Sequence, residues 1–89
     1  MSKIFMAEDD PLMGRMYERA FRASGFELVM ATDGDAALAE LAKMDPVPTL
    51  ILLDVMMPKK NGFDVLAEVK QSEKLKHIPV IMLTNLAGD

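Results

Sequence analysis

Short apolar runs of strand length alternate along this chain with segments whose apolar residues recur at helical spacing. Ile4-Phe5-Met6-Ala7, Leu50-Ile51-Leu52-Leu53 and Val80-Ile81-Met82-Leu83 are apolar throughout. Such runs suit strands covered on both faces, and the intervening helices supply the cover. After the strand Lys3–Ala7, Asp10-Pro11 offers an N-cap with proline at the first helical position. Leu12, Met13, Met16, Tyr17, Ala20 and Phe21 make the expected buried stripe of that helix, opposite Arg15, Glu18, Arg19 and Arg22; Ser24-Gly25 stops it. Glu27–Ala31 reads as a strand, and Thr32-Asp33-Gly34 turns into a helix over about residues 35–44 with Ala37, Leu38, Leu41 and Ala42 inward. Asp45-Pro46-Val47-Pro48 leads to a strand over residues 49–53. Pro58-Lys59-Lys60-Asn61-Gly62 is loop, followed by a helix over about residues 63–72 that turns Phe63, Leu66 and Val69 inward. Pro79 opens the last strand, Val80–Leu83. The order β-α-β-α-β-α-β with short, right-handed crossovers predicts an α/β fold with a parallel sheet and helices on both faces.

Residues 1–89 hold one domain at most. Its 51% hydrophobic and 27% charged residues belong to an ordinary globular chain. A net charge of −4 without a basic run argues against nucleic acid or anionic membrane as a direct partner. The absence of cysteine excludes disulfides, thiolate metal sites and cysteine catalysis. No stretch is long and apolar enough to span a bilayer, and the N-terminus lacks a basic-then-apolar leader, so a cytoplasmic protein is expected.

The chemistry gathers where two strands end. Glu8-Asp9-Asp10 follows the first apolar run and Asp54 ends the third strand. A carboxylate at the exit of a buried strand is costly, and two such exits predict one acidic pocket at the C-terminal rim of the sheet, where open α/β sheets bind ligands. Glu8, Asp9 and Asp54 repel one another there unless a cation neutralises them. Magnesium takes about six oxygens and keeps several waters, so these carboxylates with one carbonyl suffice. Met56 suits the carbonyl role, since its thioether is a poor ligand for a hard cation, and its side chain is expected to shield the pocket. A cation beside it makes Asp54 a usable phosphoryl acceptor. Capping is the competing explanation, with Asp9 and Asp10 closing a helix and Asp54 a turn, but it does not account for acidic ends on both strands. Thr84 leaves the last strand at the same rim, where its hydroxyl can hydrogen-bond a phosphoryl oxygen. Lys59 and Lys60 read as a solvated loop, His77 as a surface residue, and the nine methionines mostly as fillers of the core.

The acidic pair, Asp54 followed by Met56-Met57-Pro58 and Gly62, and Pro79-Val80-Ile81-Met82-Leu83-Thr84 together resemble the receiver domain of two-component response regulators. The resemblance runs over residues 3–89 and implies the flavodoxin-like receiver fold. It implies that Asp54 is the phosphoacceptor, fed by a sensor histidine kinase or a small phosphodonor. Asp9 then ligates Mg2+ directly, Glu8 acts at the adjacent acidic position through water, and the Met56 carbonyl completes the protein's share of the shell. Thr84 becomes the switch hydroxyl. Glu8 stands where the commoner residue of the pair is aspartate. The domain so implied is a phosphoacceptor and not an enzyme, with at most self-phosphorylation from small donors and autodephosphorylation.

In the family a further helix, a fifth strand and a last helix follow the threonine, and the fifth strand carries a lysine that pairs with the phosphoryl oxygen. This sequence ends at Asp89, so the resemblance implies a receiver truncated after the fourth strand, with four strands and three helices. Lys70, Lys74 and Lys76 precede that strand and do not fill the lysine's place. Without it, phosphoryl stabilisation weakens by about 1.5–3 kcal/mol. An uncovered apolar edge strand and sheet face imply a homo-oligomer. The alternative is a non-signalling structural or oligomerising receiver fragment. A magnesium-dependent phosphohydrolase fits worse, since Met56 stands where such an enzyme wants a second acid.

Overall fold

The computed structural model describes residues 2–83. The chain runs β1 (Lys3–Ala7), α1 (Pro11–Ala23), β2 (Glu27–Ala31), α2 (Gly34–Lys43), β3 (Leu50–Asp54), α3 (Gly62–Gln71) and β4 (Val80–Leu83). The strands form one parallel sheet in the order β2-β1-β3-β4, so β1 and β3 lie at its centre. This is the expected flavodoxin-like arrangement of four strands and three helices.

Alternation along the strands divides the core in two. Phe5, Ala7, Ile51 and Leu53 face α2 and α3 and pack with Ala37, Leu41, Val65 and Val69, all fully buried. Ile4, Met6, Leu28 and Leu52 face the other way, against Tyr17 and Phe21 of α1. Asp10, Asp33 and Asn61 cap the three helices, and Asn61 with Asp64 forms a reciprocal capping box.

Several expected inward residues face solvent. Leu12, Met13 and Met16 are 62%, 38% and 59% exposed, and Ala20 is exposed as well. Among the described residues α1 is the single helix on its face of the sheet, so only the Tyr17 and Phe21 side of its stripe finds apolar partners. Phe63 is also exposed, because α3 is turned with Gly62, Val65 and Val69 inward and the residue after Gly62 points about 100° away from that line. On α2 the line is Ala37, Leu41 and then Met44, which leaves Ala42 outside. The methionines divide accordingly: Met6 and Met44 are core, whereas Met13, Met16 and Met56 are exposed. β3 runs one residue further than expected and takes Asp54 into the ladder opposite Leu83.

Candidate functional site

Register brings the acidic residues together. Ala7 pairs with Leu53, so Glu8 and Asp54 leave adjacent central strands side by side. The Glu8 N–H still donates to the Ala31 carbonyl (3.0 Å), which ties the first acidic residue to the sheet. Both side chains are buried, at 8% and 9% exposure, while Asp9 is exposed. One carboxylate oxygen each from Glu8, Asp9 and Asp54 lies within 4.8 Å of the others.

The local backbone sets these groups. Asp10 is taken up by capping, its Oδ1 accepting from the Leu12 N–H at 2.9 Å. The Asp10 N–H in turn donates to Glu8 Oε2 at 3.1 Å. Asp54 Oδ1 accepts from the Met56 N–H at 3.2 Å. The turn cap and the acidic cluster therefore coexist at Asp54, one oxygen for the turn. The Val55 N–H donates to the Leu83 carbonyl of β4, and the Gly62 N–H donates to the Val55 carbonyl, both at 3.0 Å; the second bond closes the β3–α3 loop on itself. Gly62 has to be glycine, because a Cβ there would strike the Asp54 carbonyl.

Burial is expensive for these acids. Desolvation, with the charges of Asp54 and Asp9 adding to it, pushes the Glu8 carboxyl from an ordinary 4.5 up to about 7, against the opposing Asp10 N–H bond. Asp54 is also raised, by desolvation first and the Asp9 charge after it, although the Met56 N–H and Glu8 pull the other way. A pocket that makes two carboxylates reluctant to ionise, with a third beside them, suits a hard divalent cation.

Thr84 lies outside the described residues; β4 ends at Leu83, directly opposite Asp54. The Met56 side chain is 73% exposed and does not shield the pocket, because the turn after β3 aims it outward. His77 is exposed, as expected. Lys59 is exposed, as a solvated loop implies, and the two lysines make surface pairs: Lys60 Nζ meets Glu68 Oε2 at 2.9 Å and Lys59 Nζ lies 3.8 Å from Asp33 Oδ2. Lys59 also holds a left-handed backbone, with φ of 69°. Reasoning from sequence missed the contact between Gly34 and this loop. Its signal was a glycine at the first helical position, directly after the Asp33 cap, where proline or a better helix former is the usual choice.

The family model for the response regulator receiver domain matches residues 4–89. The chain belongs to that family. It is 44% identical over 84 residues to the transcriptional regulatory protein CpxR of Klebsiella pneumoniae, covering 94% of this chain and 34% of that protein. It is 42% identical over 88 residues to the response regulator Rcp1 of Synechocystis, covering 91% of this chain and 60% of that one. The receiver thus spans about a third of the first relative and three fifths of the second. The crystal structure of Rcp1 in its Mn(2+)-bound form superposes with a TM-score of 0.86 at 38% identity, covering all of this chain and 69% of that one. The phosphorylated cyanobacterial phytochrome response regulator RcpA superposes at 0.88, also 38% identical, covering 98% and 67%. Among the described residues no helix is long and apolar enough to cross a membrane.

Proposed function

We propose that this receiver accepts a phosphoryl group on Asp54 in a Mg2+-dependent reaction, with a sensor histidine kinase as donor. The observation that carries the reading is the meeting of Glu8, Asp9 and Asp54 within 4.8 Å at the ends of β1 and β3. In this reading Asp9 would bind the cation directly, Glu8 would hold it through water, and Asp54 and the Met56 carbonyl would complete the protein's oxygens. A cation held there would supply positive charge to offset the carboxylates and the incoming phosphoryl oxygens.

The chain's own residues do the rest. Asp54 attacks phosphorus with one carboxylate oxygen, forming an acyl phosphate as the bond from phosphorus to the donor's nitrogen or oxygen breaks. The Met56 N–H, bonded to Oδ1, orients the carboxylate. Thr84 is proposed to hydrogen-bond the transferred group and move toward it, switching the domain's interactions. The chain acts as an acceptor and not as an enzyme. The Mn(2+)-bound form of Rcp1 and the phosphorylated form of RcpA support this reading by likeness. The proposed setting is the cytoplasm. We further propose self-association through β4 and the α1 face, on the exposure of Ile81, Met13 and Met16.

Mass spectrometry after incubation with acetyl phosphate and Mg2+ tests the reading. One phosphoryl adduct is expected, absent from Asp54→Asn and from a Mg2+-free control. A folded chain without an adduct overturns it. Native spectra of the same samples report assembly, and a clean monomer removes the self-association.

A further inference from the structure

The start of α2 touches the β3–α3 loop at three points. The Gly34 N–H points at the Pro58 carbonyl, at 3.5 Å. Lys59 Nζ lies 3.8 Å from Asp33 Oδ2. Most telling, a Cβ on Gly34 would collide with the backbone carbonyl of Lys60 and with its Cβ and carbonyl carbon. That obstacle is backbone, and it cannot yield as a side-chain tip does. The other end of the loop begins at Asp54 and Met56, and the Gly62 N–H closes it against Val55 at 3.0 Å. The loop is a small ring with the acidic site at one end and Gly34 at the other, and Lys59 is held left-handed between them.

We propose that Gly34 is a positioning residue: its missing side chain is the seat on which the β3–α3 loop rests, and that seat sets where Met56 and the Asp54 carboxylate stand in the metal site. The inference rests on the phosphoacceptor reading and adds a residue that touches neither metal nor phosphoryl group. A purely local role makes the opposite forecast, because alanine is the better helix former and Gly34→Ala would then be neutral or stabilising. Gly14→Ala is a suitable control, since a Cβ there meets only the flexible end of Met30.

The test measures Mg2+ affinity by calorimetry, phosphorylation rate from acetyl phosphate, and thermal unfolding in EDTA, for wild type, Gly34→Ala and Gly14→Ala. Gly34→Ala is expected to lose about tenfold in Mg2+ affinity and about tenfold or more in rate, while Gly14→Ala stays within twofold of wild type. A Gly34→Ala chain that keeps both within twofold overturns the proposal. Titration of wild type with Mg2+ under amide NMR needs no variant: the Gly34 amide should move together with that of Met56, and a Gly34 signal that stays still as Met56 shifts overturns the proposal equally. A wild type that takes no phosphoryl group overturns the phosphoacceptor reading and this inference with it. A modified wild type beside an unaffected Gly34→Ala sinks the inference alone.

Discussion

Leu53 and Asp54 are neighbours on the same strand, and both are buried, yet they stand in regions of opposite purpose. Leu53 belongs to the body of the sheet, where Phe5, Ile51, Val65 and Val69 enclose it completely. Asp54 belongs to the rim, where burial brings it against Glu8 and Asp9. The same desolvation that stabilises an apolar side chain raises the free energy of an ionised one. The body holds the fold, and the rim is a strained load that it carries.

The largest expected effect lies in the body. Leu53→Ala should cost about 3–4 kcal/mol, read from urea unfolding, because a fully enclosed site has little room to collapse. A loss below about 1 kcal/mol would mean that the two regions differ less than their burial implies.

The rim should answer to pH in the opposite sense from an ordinary ion-paired acid. The folded state raises the Glu8 pKa from 4.5 to about 7, so between those values it keeps a proton that the unfolded chain has released. Stability in EDTA should therefore be greatest below about pH 4.5 as far as this group is concerned, and fall by up to about 3 kcal/mol as pH rises to about 7. Mg2+ should stabilise much more at pH 8 than at pH 5.5, since it binds the deprotonated carboxylates. Thermal melts at the two pH values with and without Mg2+ check both statements, and a metal-free stability that rises across the window would contradict the assignment.

Asp54→Asn sharpens the comparison at a single bond's remove from Leu53. It should raise the melting temperature in EDTA, by the equivalent of about 1–2 kcal/mol, because it removes one of the crowded charges. The same variant loses the Mg2+-dependent gain. Smallest is Lys59→Gly, which removes the cost of a left-handed lysine and only an exposed, 3.8 Å ion pair. A gain of about 0.5 kcal/mol in chemical denaturation is expected after the extra backbone entropy of glycine is set against it.

Much of the molecule is legible in its sequence. The element order and the sheet follow from runs such as Ile4–Ala7 and from punctuation such as Asp10-Pro11 and Ser24-Gly25, which act locally. Glu8, Asp9 and Asp54 can be grouped because each follows a strand that must be buried. The helix faces are harder. Apolar spacing places Phe63 inside and does not single out Val65, since the close approach of Gly62 to the Asp54 carbonyl sets how α3 is turned, and that contact is tertiary. The stripe of α1 is apolar in sequence, but how much of it is covered depends on what lies beside it on the sheet.

From the sequence alone, then, come the class of fold, the acidic rim and the residue types able to hold a cation and accept a phosphoryl group, because strand length, helical period and the cost of burying charge are properties of short segments. Tertiary structure decided the rest. Only the parallel register sets Glu8 beside Asp54 at the buried rim, where desolvation raises both carboxyls and the Asp54 charge adds to the rise of Glu8. Only the packing of α2 against the loop after β3 brings Gly34 under Lys60, 26 residues further along the chain. Distances between segments far apart in sequence are set by how the whole sheet and its helices close, and no local pattern contains them.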